Sequence, residues 1–417
     1  MIDAVLDEFR PGRTIYIPGA TGESLALAAA LASAPERIRD VHLVSCLIPG
    51  INQTDYAGLH PAARLTVFML SPALRASFEA GRIRALPLSY TGIAAYLGRE
   101  LPIDTAIAHV APPDAGGFCS LGIAADFTPL VWPRAGRRIA IINEAMPAMQ
   151  RGPRIALADA DLTVTINAPL ICSPPHRSNA ELTAIAKHIA ALVPDGAAIQ
   201  LGIGGAPAVV WPFLSGHRNL TIASGMVTDE ARDLAVAGAL RPGDAHSTGV
   251  AYGSQEFYRY LAESDLLAFA STPETHGIGS LAKRDKFTSI NAALEVDLLG
   301  QVNAEWRDGK LFSGVGGGPD FARAAAASPG GRSIISLSAS AKTKNADKPT
   351  LSKIVPKLTS PSVSLGRNDI DTVVTEFGAA ELRGLSLDER ARTLIKIAAP
   401  AHQDELSTAW QALRKLI

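Results

Sequence analysis

Several features are scarce in this sequence of 417 residues, and each absence excludes a class of protein. No run approaches 18 apolar residues, so no segment predicts a membrane-spanning helix. The 39 basic and 40 acidic side chains nearly cancel, which argues against nucleic acid or an anionic membrane as a partner. The N-terminal stretch MIDAVLDEFRPGR lacks the apolar core of a signal peptide, so we expect a cytoplasmic protein.

Cysteine and aromatic residues are also few. The three cysteines, Cys46, Cys119 and Cys172, lie far apart without the spacing of metal ligands. We interpret them as buried thiols in a reducing compartment and predict no metal cofactor. Aromatic residues make up 6% of the chain while alanine and glycine are abundant, which suits a large α/β enzyme better than a binding module.

Short β-branched runs alternate with turns and helical patterns. With 47% hydrophobic and 19% charged residues, a chain of this length is globular and too long for one typical core. The runs are nearly continuous in apolar residues, which indicates strands buried on both faces of mostly parallel sheets and hence the α/β class. Strands are predicted near residues 13–17, 40–45, 65–69, 105–110, 138–142 and 161–166, and again near 197–201, 220–224, 265–270, 333–338 and 371–375.

A polar, proline-containing break at residues 172–180, CSPPHRSNA, separates the two series of strands. Directly after it, Ser178 and Glu181 have the spacing of a capping box ahead of an amphipathic helix. We therefore predict an N-terminal domain over 1–178 and a C-terminal domain over 179–417. Each series opens with a strand, a glycine turn and a helix, in IYIPGATGES and IQLGIGGAPAVV. This weak internal repeat favours two related open α/β domains.

Two glycine turns are candidates for ligand binding. The first, Gly202, Gly204 and Gly205, follows a predicted strand and precedes a predicted helix over 206–215, where free N–H groups favour an anion or an oxyanion. Tight packing is the alternative. The second, Gly314 and Gly316 to Gly318, leads into Pro319 and Asp320 at a helix start. It predicts a phosphate cradle, with a mobile loop as the alternative.

Acidic and basic side chains near these turns leave several roles open. The strand after the first turn should be its parallel neighbour, which brings Ser224, Gly225 and Met226 close to it. Asp229 and Glu230 follow, as a helix start or as catalytic acids. Glu295, Asp297 and Glu376 are ambiguous, and lone histidines such as His246 and His276 are more often structural. The segment 341–357 carries five lysines and is a solvated loop or a basic flap.

Several motifs, in order along nearly the whole chain, resemble the acetyl-CoA hydrolase/CoA-transferase family. The resemblance implies two related α/β domains with acyl-CoA in the cleft between them, and commonly a dimer or larger oligomer. It places the first glycine turn on the oxyanion side and the second against coenzyme A. The motifs are VAPPDAGGFCSLG (110–122), INEAMPAMQRG (142–152), QLGIGGAPAVV (200–210), SINAALEVDLLGQVNAE (289–305), SGVGGGPDF (313–321), VVTEFGAAELRG (373–384) and RARTLIKIAAP (390–400).

The resemblance also implies a glutamate that attacks the thioester and then carries CoA. Aligning Met226 and Asp229 with the family segment puts Gly225 at that position, and Ala399 stands where many relatives carry histidine. Three hypotheses follow. The protein is a CoA-transferase or related acyl-CoA enzyme whose acid comes from elsewhere, with Glu230 as the candidate. Alternatively it is a hydrolase that positions water with Glu230, Glu295 or Glu376, or a non-catalytic CoA binder or partner subunit.

Overall fold

A computed structural model describes residues 2–174, 178–243, 246–342 and 350–417. Within these ranges most strands belong to two large sheets, one of seven strands and one of eight. The predicted α/β class with mostly parallel sheets is confirmed. Residues 343–349 of the lysine-rich segment 341–357 and residues 175–177 of the break at 172–180 lie outside the described residues.

The first sheet is entirely parallel, and its first strand lies in its interior. The order across the sheet is β4-β3-β2-β1-β5-β6-β7. The strand order reverses between β1 and β5. The strands are β1 Thr14–Tyr16, β2 His42–Val44, β3 Arg64–Val67, β4 Ile83–Ala85, β5 Thr105–Val110, β6 Arg137–Asn143 and β7 Leu162–Ile166.

The second sheet repeats this path and adds one antiparallel edge strand. Its order is β11-β10-β9-β8-β12-β13-β14-β15, so the reversal falls between β8 and β12. The shared strand order supports the internal repeat inferred from the two glycine turns. The strands are β8 Ala198–Leu201, β9 Thr221–Val227, β10 His246–Ala251, β11 Leu267–Phe269, β12 Thr288–Ala292, β13 Arg332–Ser336, β14 Thr372–Thr375 and β15 Gly378–Glu381.

All eleven predicted strands occur in these sheets, whereas four observed strands were missed: β4, β10, β12 and β15. Their sequences, IRA, HSTGVA, TSINA and GAAE, are short or rich in glycine, alanine and small polar residues. Such sequences have little β-propensity of their own. Pairing with neighbouring strands decides their conformation.

Short two- and three-stranded ladders complete the β-structure, and helices cover the sheets. The ladder strands are Phe118–Ser120 with Arg154–Ala156; Glu295–Asp297 with Val302–Asn303 and Ile354–Val355; Trp306–Arg307 with Lys310–Leu311; and Ser340–Ala341 with Leu351–Ser352. The α-helices are Asp3–Leu6, Leu25–Ser33, Arg75–Glu79, Tyr90–Ala95, Thr128–Val131, Ala180–Ala190, Glu230–Val236, Gln255–Glu263, Thr272–Thr275, Ile278–Leu281, Gly318–Ala327, Leu387–Lys396 and Gln403–Arg414. No helix in the described ranges is long and apolar enough to cross a membrane.

Two local predictions about helices were wrong. The helix at residues 180–190 is capped by Asn179, whose side chain accepts from the N–H of Leu182 at 2.8 Å, so the predicted capping box of Ser178 and Glu181 does not form. Residues 206–215 form two short 3₁₀ turns instead of one α-helix. Pro207 and Pro212 explain the second error, because each removes an N–H donor within the segment.

The two halves pack together through a shared hydrophobic core. Buried side chains of both sheets, among them Tyr16 of the first and Ile199 of the second, belong to one cluster. Backbone bridges join Ala124 to Val250 and Asp126 to Ser271 across the halves. The domain boundary between residues 178 and 179 falls in the connection between the sheets and stays a prediction. Cys46 and Cys119 are buried as expected, whereas Cys172 is partly exposed.

Candidate active site

A cleft of about 480 Å³ lies where the two halves meet. Its floor is formed by the carboxyl ends of β8 and β12, at the point where the strand order of the second sheet reverses. Met69 and Tyr90 close it from the first half. A crevice at such a reversal is the usual ligand site of an open α/β sheet, and the volume is in the range of small-molecule pockets.

All seven glycines proposed as binding residues line this cleft. The structure brings both turns to one place although more than 100 positions separate them in the sequence. The set comprises Gly202, Gly204 and Gly205 of the first turn and Gly314, Gly316, Gly317 and Gly318 of the second.

The second turn is fastened to the first half by backbone hydrogen bonds. The N–H of Leu70 donates to the carbonyl of Ser313, and that of Tyr90 donates to Gly316, both at 3.2 Å. At Gly314 a Cβ atom would lie 2.5 Å from the carbonyl oxygen of Phe68, so only glycine allows this close approach. The turn is therefore a fixed wall of the cleft, and the mobile-loop alternative loses its support.

Asp320 reinforces the same junction. The buried carboxylate accepts hydrogen bonds from the N–H of Thr91 at 3.0 Å, its hydroxyl at 2.6 Å and the hydroxyl of Ser89 at 3.0 Å. These donors lie at the start of the helix Tyr90–Ala95, where a negative charge is favourable. Asp320 thus stabilises the contact between the halves and is not itself part of a phosphate cradle.

The first glycine turn follows β8 directly. The N–H of Gly202 donates to the carbonyl of Ile290 at 2.8 Å, so it is already satisfied and does not take part in oxyanion binding. Beside it, the amides of Gln200 and Asn291 pair with each other at 3.1 and 3.3 Å across β8 and β12. Both amides line the cleft, and sequence reasoning missed them because the pairing depends on sheet register.

The end of β9 reaches the cleft as predicted. Gly225 and Met226 line it together with Gly204 and Gly205. The hydroxyl of Ser224, in contrast, is buried and donates to the carbonyl of Met226 at 2.8 Å. Ser224 is therefore not placed as a nucleophile.

His276 occupies the space beside Gly225. The short helix Thr272–Thr275 beyond β11 carries it to the cleft, where its ring stacks on Tyr90 at 4.3 Å and packs on Phe321 at 4.6 Å. A Cβ atom on Gly225 would lie 2.6 Å from its Cε1 and Nε2 atoms. Sequence reasoning named this histidine as more often structural and missed its place in the cleft.

The described residues that line the cleft include no aspartate or glutamate. Glu230, the acid proposed as catalytic, is not among them, and the Thr228 hydroxyl donates to its carboxylate at the start of the helix Glu230–Val236. Asp229 accepts from the N–H and hydroxyl of Ser254. The catalytic role considered for Glu230 from its place in the sequence thus has no support from the position of its side chain.

The other candidate acids are not among the lining residues either, and each accepts hydrogen bonds from neighbouring groups. Asp297 is buried and accepts from the N–H groups of Leu299 and Gln301, which shapes a turn. Glu295 accepts from the Thr359 hydroxyl at 2.7 Å. Glu376 accepts from the N–H of Ala339 at 2.9 Å. The contacts of Asp297 identify it as a structural residue.

Two cations, Arg307 and Lys353, line the cleft instead. The guanidinium of Arg307 lies 4.3 Å from the centre of the Phe312 ring, a cation–π contact that orients it. Burial lowers the pKa of Lys353, against the opposing effect of the Glu181 and Glu376 carboxylates. Two positive charges without a lining carboxylate make a site for an anionic ligand.

Several buried polar side chains lie near the Tyr90 hydroxyl. The thiol of Cys46 donates to the Tyr90 hydroxyl at 3.9 Å, and the Asp126 carboxylate accepts from the hydroxyl of Thr272 at 3.1 Å. Burial raises the pKa of Asp126 to about 7 despite that hydrogen bond. It also raises the pKa of Cys46 and Tyr90. In the described part of the chain, no cluster of histidine, cysteine and acidic side chains is suited to a metal ion.

Comparison with known proteins agrees with this fold. Residues 253–410 match the family described as acetyl-CoA hydrolase/transferase C-terminal domain. The chain is 33% identical over 397 residues to the 4-hydroxybutyrate coenzyme A transferase of Clostridium kluyveri, covering 93% of this chain and 91% of that protein. The crystal structure of RipA from Yersinia pestis superposes with a TM-score of 0.89 at 30% identity and covers 99% of both chains.

A second relative is the succinyl-CoA:cyclohexane-1-carboxylate CoA transferase of Geobacter metallireducens, 30% identical over an alignment of 420 positions that covers 98% of this chain and 93% of that protein. The chain belongs to the acetyl-CoA hydrolase/CoA-transferase family. The resemblance stated from the motifs is thereby confirmed, and with it the assignment to a family of enzymes.

Proposed function

We propose that this protein binds acyl-CoA in the cleft and acts on the thioester as a CoA-transferase or an acyl-CoA hydrolase. The acyl group is that of a small carboxylic acid. The relatives' names, two CoA-transferases and a hydrolase/transferase family, support this class of reaction. The observation that carries it is the lining of the cleft: two glycine turns and two cations, with no carboxylate among the described lining residues.

Each part of this lining suits one part of the ligand. Arg307 and Lys353 provide positive charge for the phosphates of coenzyme A or for a carboxylate acceptor. The glycine turns let the backbone approach the pantetheine chain and the thioester closely. Met69 and Phe321 supply apolar surface for the acyl group.

The same lining favours a reaction without an enzyme-bound anhydride. Such an intermediate needs a carboxylate that touches the thioester, and Gly225 has no side chain to provide one. Removal of a covalent nucleophile typically costs several orders of magnitude in rate, while binding and oxyanion stabilisation leave about 10³–10⁴ over water. We therefore infer slow turnover compared with enzymes that use a covalent nucleophile.

The proposal also covers the oligomeric state and the cellular location of the enzyme. We infer a homodimer or larger homo-oligomer, because family members commonly associate, and we propose that it acts in the cytoplasm. Size-exclusion chromatography with light scattering tests the oligomeric state, and a monomer at micromolar concentration would contradict it.

The function is tested by incubating the protein with acetyl-, propionyl-, butyryl- and succinyl-CoA, with and without acetate or succinate as acceptor. Free CoA and new acyl-CoA are measured by liquid chromatography. Release of CoA without acceptor identifies a hydrolase, and formation of new acyl-CoA identifies a transferase. Tight CoA binding by calorimetry without turnover of any thioester would overturn the enzymatic proposal and leave a CoA-binding protein.

A further inference from the structure

The imidazole of His276 is held in one position at the floor of the cleft. Tyr90 and Phe321 pack against the ring, and the residue is only 4% exposed. On its edge, a Cβ atom on Gly225 would lie 2.6 Å from Nε2, and one on Gly317 would lie 2.8 Å from the same atom. Nε2 therefore sits between two glycine backbones that both line the cleft, and only glycine at both positions leaves room for it.

The hydroxyl of Thr275 is the hydrogen-bond partner of the His276 ring. Its hydroxyl donates its one hydrogen toward the carbonyls of Ser271, at 3.3 Å, and Thr272, at 3.5 Å. The same oxygen lies 2.9 Å from Nδ1 of His276, and with its own hydrogen directed at those carbonyls we assign it as the acceptor from Nδ1–H. In the neutral ring the lone pair is then on Nε2, which has no hydrogen-bond partner among the described residues.

We propose that Nε2 of His276 is the general base of a hydrolytic reaction in this cleft. The inference rests on the proposed function and selects hydrolysis from its two reactions. Water bound at Nε2 gives its proton to the imidazole while its oxygen bonds to the thioester carbonyl carbon. The carbon–sulfur bond then breaks, and the leaving thiolate takes the proton from Nε2. One water is consumed, a carboxylic acid and CoA are formed, and the imidazole is restored.

Geometry favours a base over a nucleophile. An acyl-imidazole requires the thioester carbon to reach bonding distance of Nε2, which Gly225 and Gly317 flank closely. A water molecule needs only hydrogen-bond distance and much less space. No aspartate or glutamate among the described lining residues competes for the role, and burial raises the pKa of Tyr90, so its hydroxyl stays protonated at neutral pH and is no base.

The electrostatic surroundings are compatible with this role. Burial lowers the pKa of His276 to about 3, so the imidazole is neutral and its lone pair is available at neutral pH. Negative charge that develops on the tetrahedral intermediate stabilises the imidazolium form and raises that pKa during the reaction. The fixed Nδ1–H bond to Thr275 keeps the ring oriented without reorganisation.

The test compares His276→Asn and His276→Gln with the wild-type protein. Asparagine preserves a donor to Thr275 but removes Nε2, and glutamine places an amide near Nε2 without its basicity. His246→Asn is the matched control, because His246 is an equally buried histidine outside the cleft lining whose Nδ1 accepts from the N–H of Ile222. Asparagine at that position still offers an acceptor.

We expect both His276 variants to lower kcat for acceptor-free CoA release by about 100-fold or more, with the Kd for CoA unchanged within about twofold. The control should retain its kcat. Circular dichroism and thermal unfolding establish that each variant is folded. In heavy-oxygen water, the carboxylate released by the wild-type protein should contain one labelled oxygen. This measurement does not depend on any variant.

Each contrary result contradicts a different claim. A folded His276 variant with wild-type kcat overturns the role of His276 and leaves the proposed function intact. Strictly acceptor-dependent CoA exchange overturns hydrolysis and leaves acyl-CoA processing intact. If the wild-type protein turns over no thioester, the proposed function itself fails. A single-turnover acyl adduct on His276 would replace the general base by a nucleophile and so overturn the inference.

Discussion

A Cβ atom on Gly225 would lie 2.6 Å from Nε2 of His276, so the glycine and the imidazole are complementary in shape. The two residues are 51 positions apart in the sequence and meet because β9 and the helix after β11 end at the same cleft. The space that a longer side chain at position 225 would need is filled by the ring of His276. This relationship gives the first prediction.

Replacing Gly225 by alanine should destabilise the protein by about 1–3 kcal/mol, because the imidazole is packed on both faces and has little room to move. In a His276→Ala background the same substitution should cost less than about 0.5 kcal/mol. Urea unfolding of the four proteins measures this coupling. Gly204→Ala is the control, since a Cβ atom there has no neighbour within 4 Å. Additive effects of the two substitutions would contradict the predicted steric fit.

The junction at Asp320 gives a second prediction. Asp320→Ala should lower the free energy of unfolding by about 2–4 kcal/mol, because three donors from Ser89 and Thr91 lose a buried charged acceptor. It should also raise the Kd for CoA, since the helix Gly318–Ala327 fixes one wall of the cleft. Denaturant unfolding and calorimetry test both effects. The exposed Asp285→Ala should change neither, and equal behaviour of the two variants would refute the structural role.

The cations of the cleft predict a salt-dependent affinity. Arg307→Met and Lys353→Met should each weaken CoA binding by about tenfold, equivalent to about 1.4 kcal/mol, while preserving much of the apolar contact of the stem. The loss should shrink at high ionic strength because salt screens the interaction. Titration calorimetry at two salt concentrations measures it. Lys415→Met, an exposed position near the C-terminus, is the control, and the same loss there would exclude a specific contact.

Asp126 predicts a pH-dependent stability. Its folded-state pKa is raised to about 7 by burial, whereas an unfolded aspartate titrates near 3.8. Between these values the folded state binds more protons than the unfolded state, so this residue makes stability fall as pH rises from about 4 to 7. Asp126→Asn should remove this loss of stability at higher pH and keep an acceptor for the Thr272 hydroxyl.

The variant should therefore gain stability over the wild-type protein at pH 8, on the order of 2–4 kcal/mol, and gain little at pH 4. Unfolding curves across that range measure the difference in the free energy of unfolding between the two proteins. The contributions of other titrating groups cancel in this difference because both proteins share them. The exposed Asp159→Asn serves as the control. A constant difference at all pH values would show that Asp126 does not titrate in this range.

Much of the scaffold was predictable because its signals are local. Runs such as TAIAHV at 105–110 and RIAII at 138–142 combine β-branched and apolar residues, and both are strands. The second glycine turn leads into a helix at Gly318, as Pro319 and Asp320 indicated. The strands HSTGVA and TSINA were missed, since their small and polar residues become strands only between parallel neighbours.

The site was predictable in part. Both glycine turns line the cleft, whereas Glu230, the acid named as a catalytic candidate, accepts a hydrogen bond from Thr228 at a helix start. The pairing of Gln200 with Asn291 and the position of His276 gave no recognisable signal. Their partners are contributed by strands and turns that are distant in the sequence.

The sequence by itself determined the α/β class, most of the strands, the family and the glycine turns, because β-propensity, helix-start chemistry and motif order are encoded by neighbouring residues. Only the tertiary structure decided which charges line the cleft, which carboxylates are engaged elsewhere, and what fills the space beside Gly225. Those features depend on register and on side chains packed from Tyr90, His276 and Phe321, which no local pattern brings together.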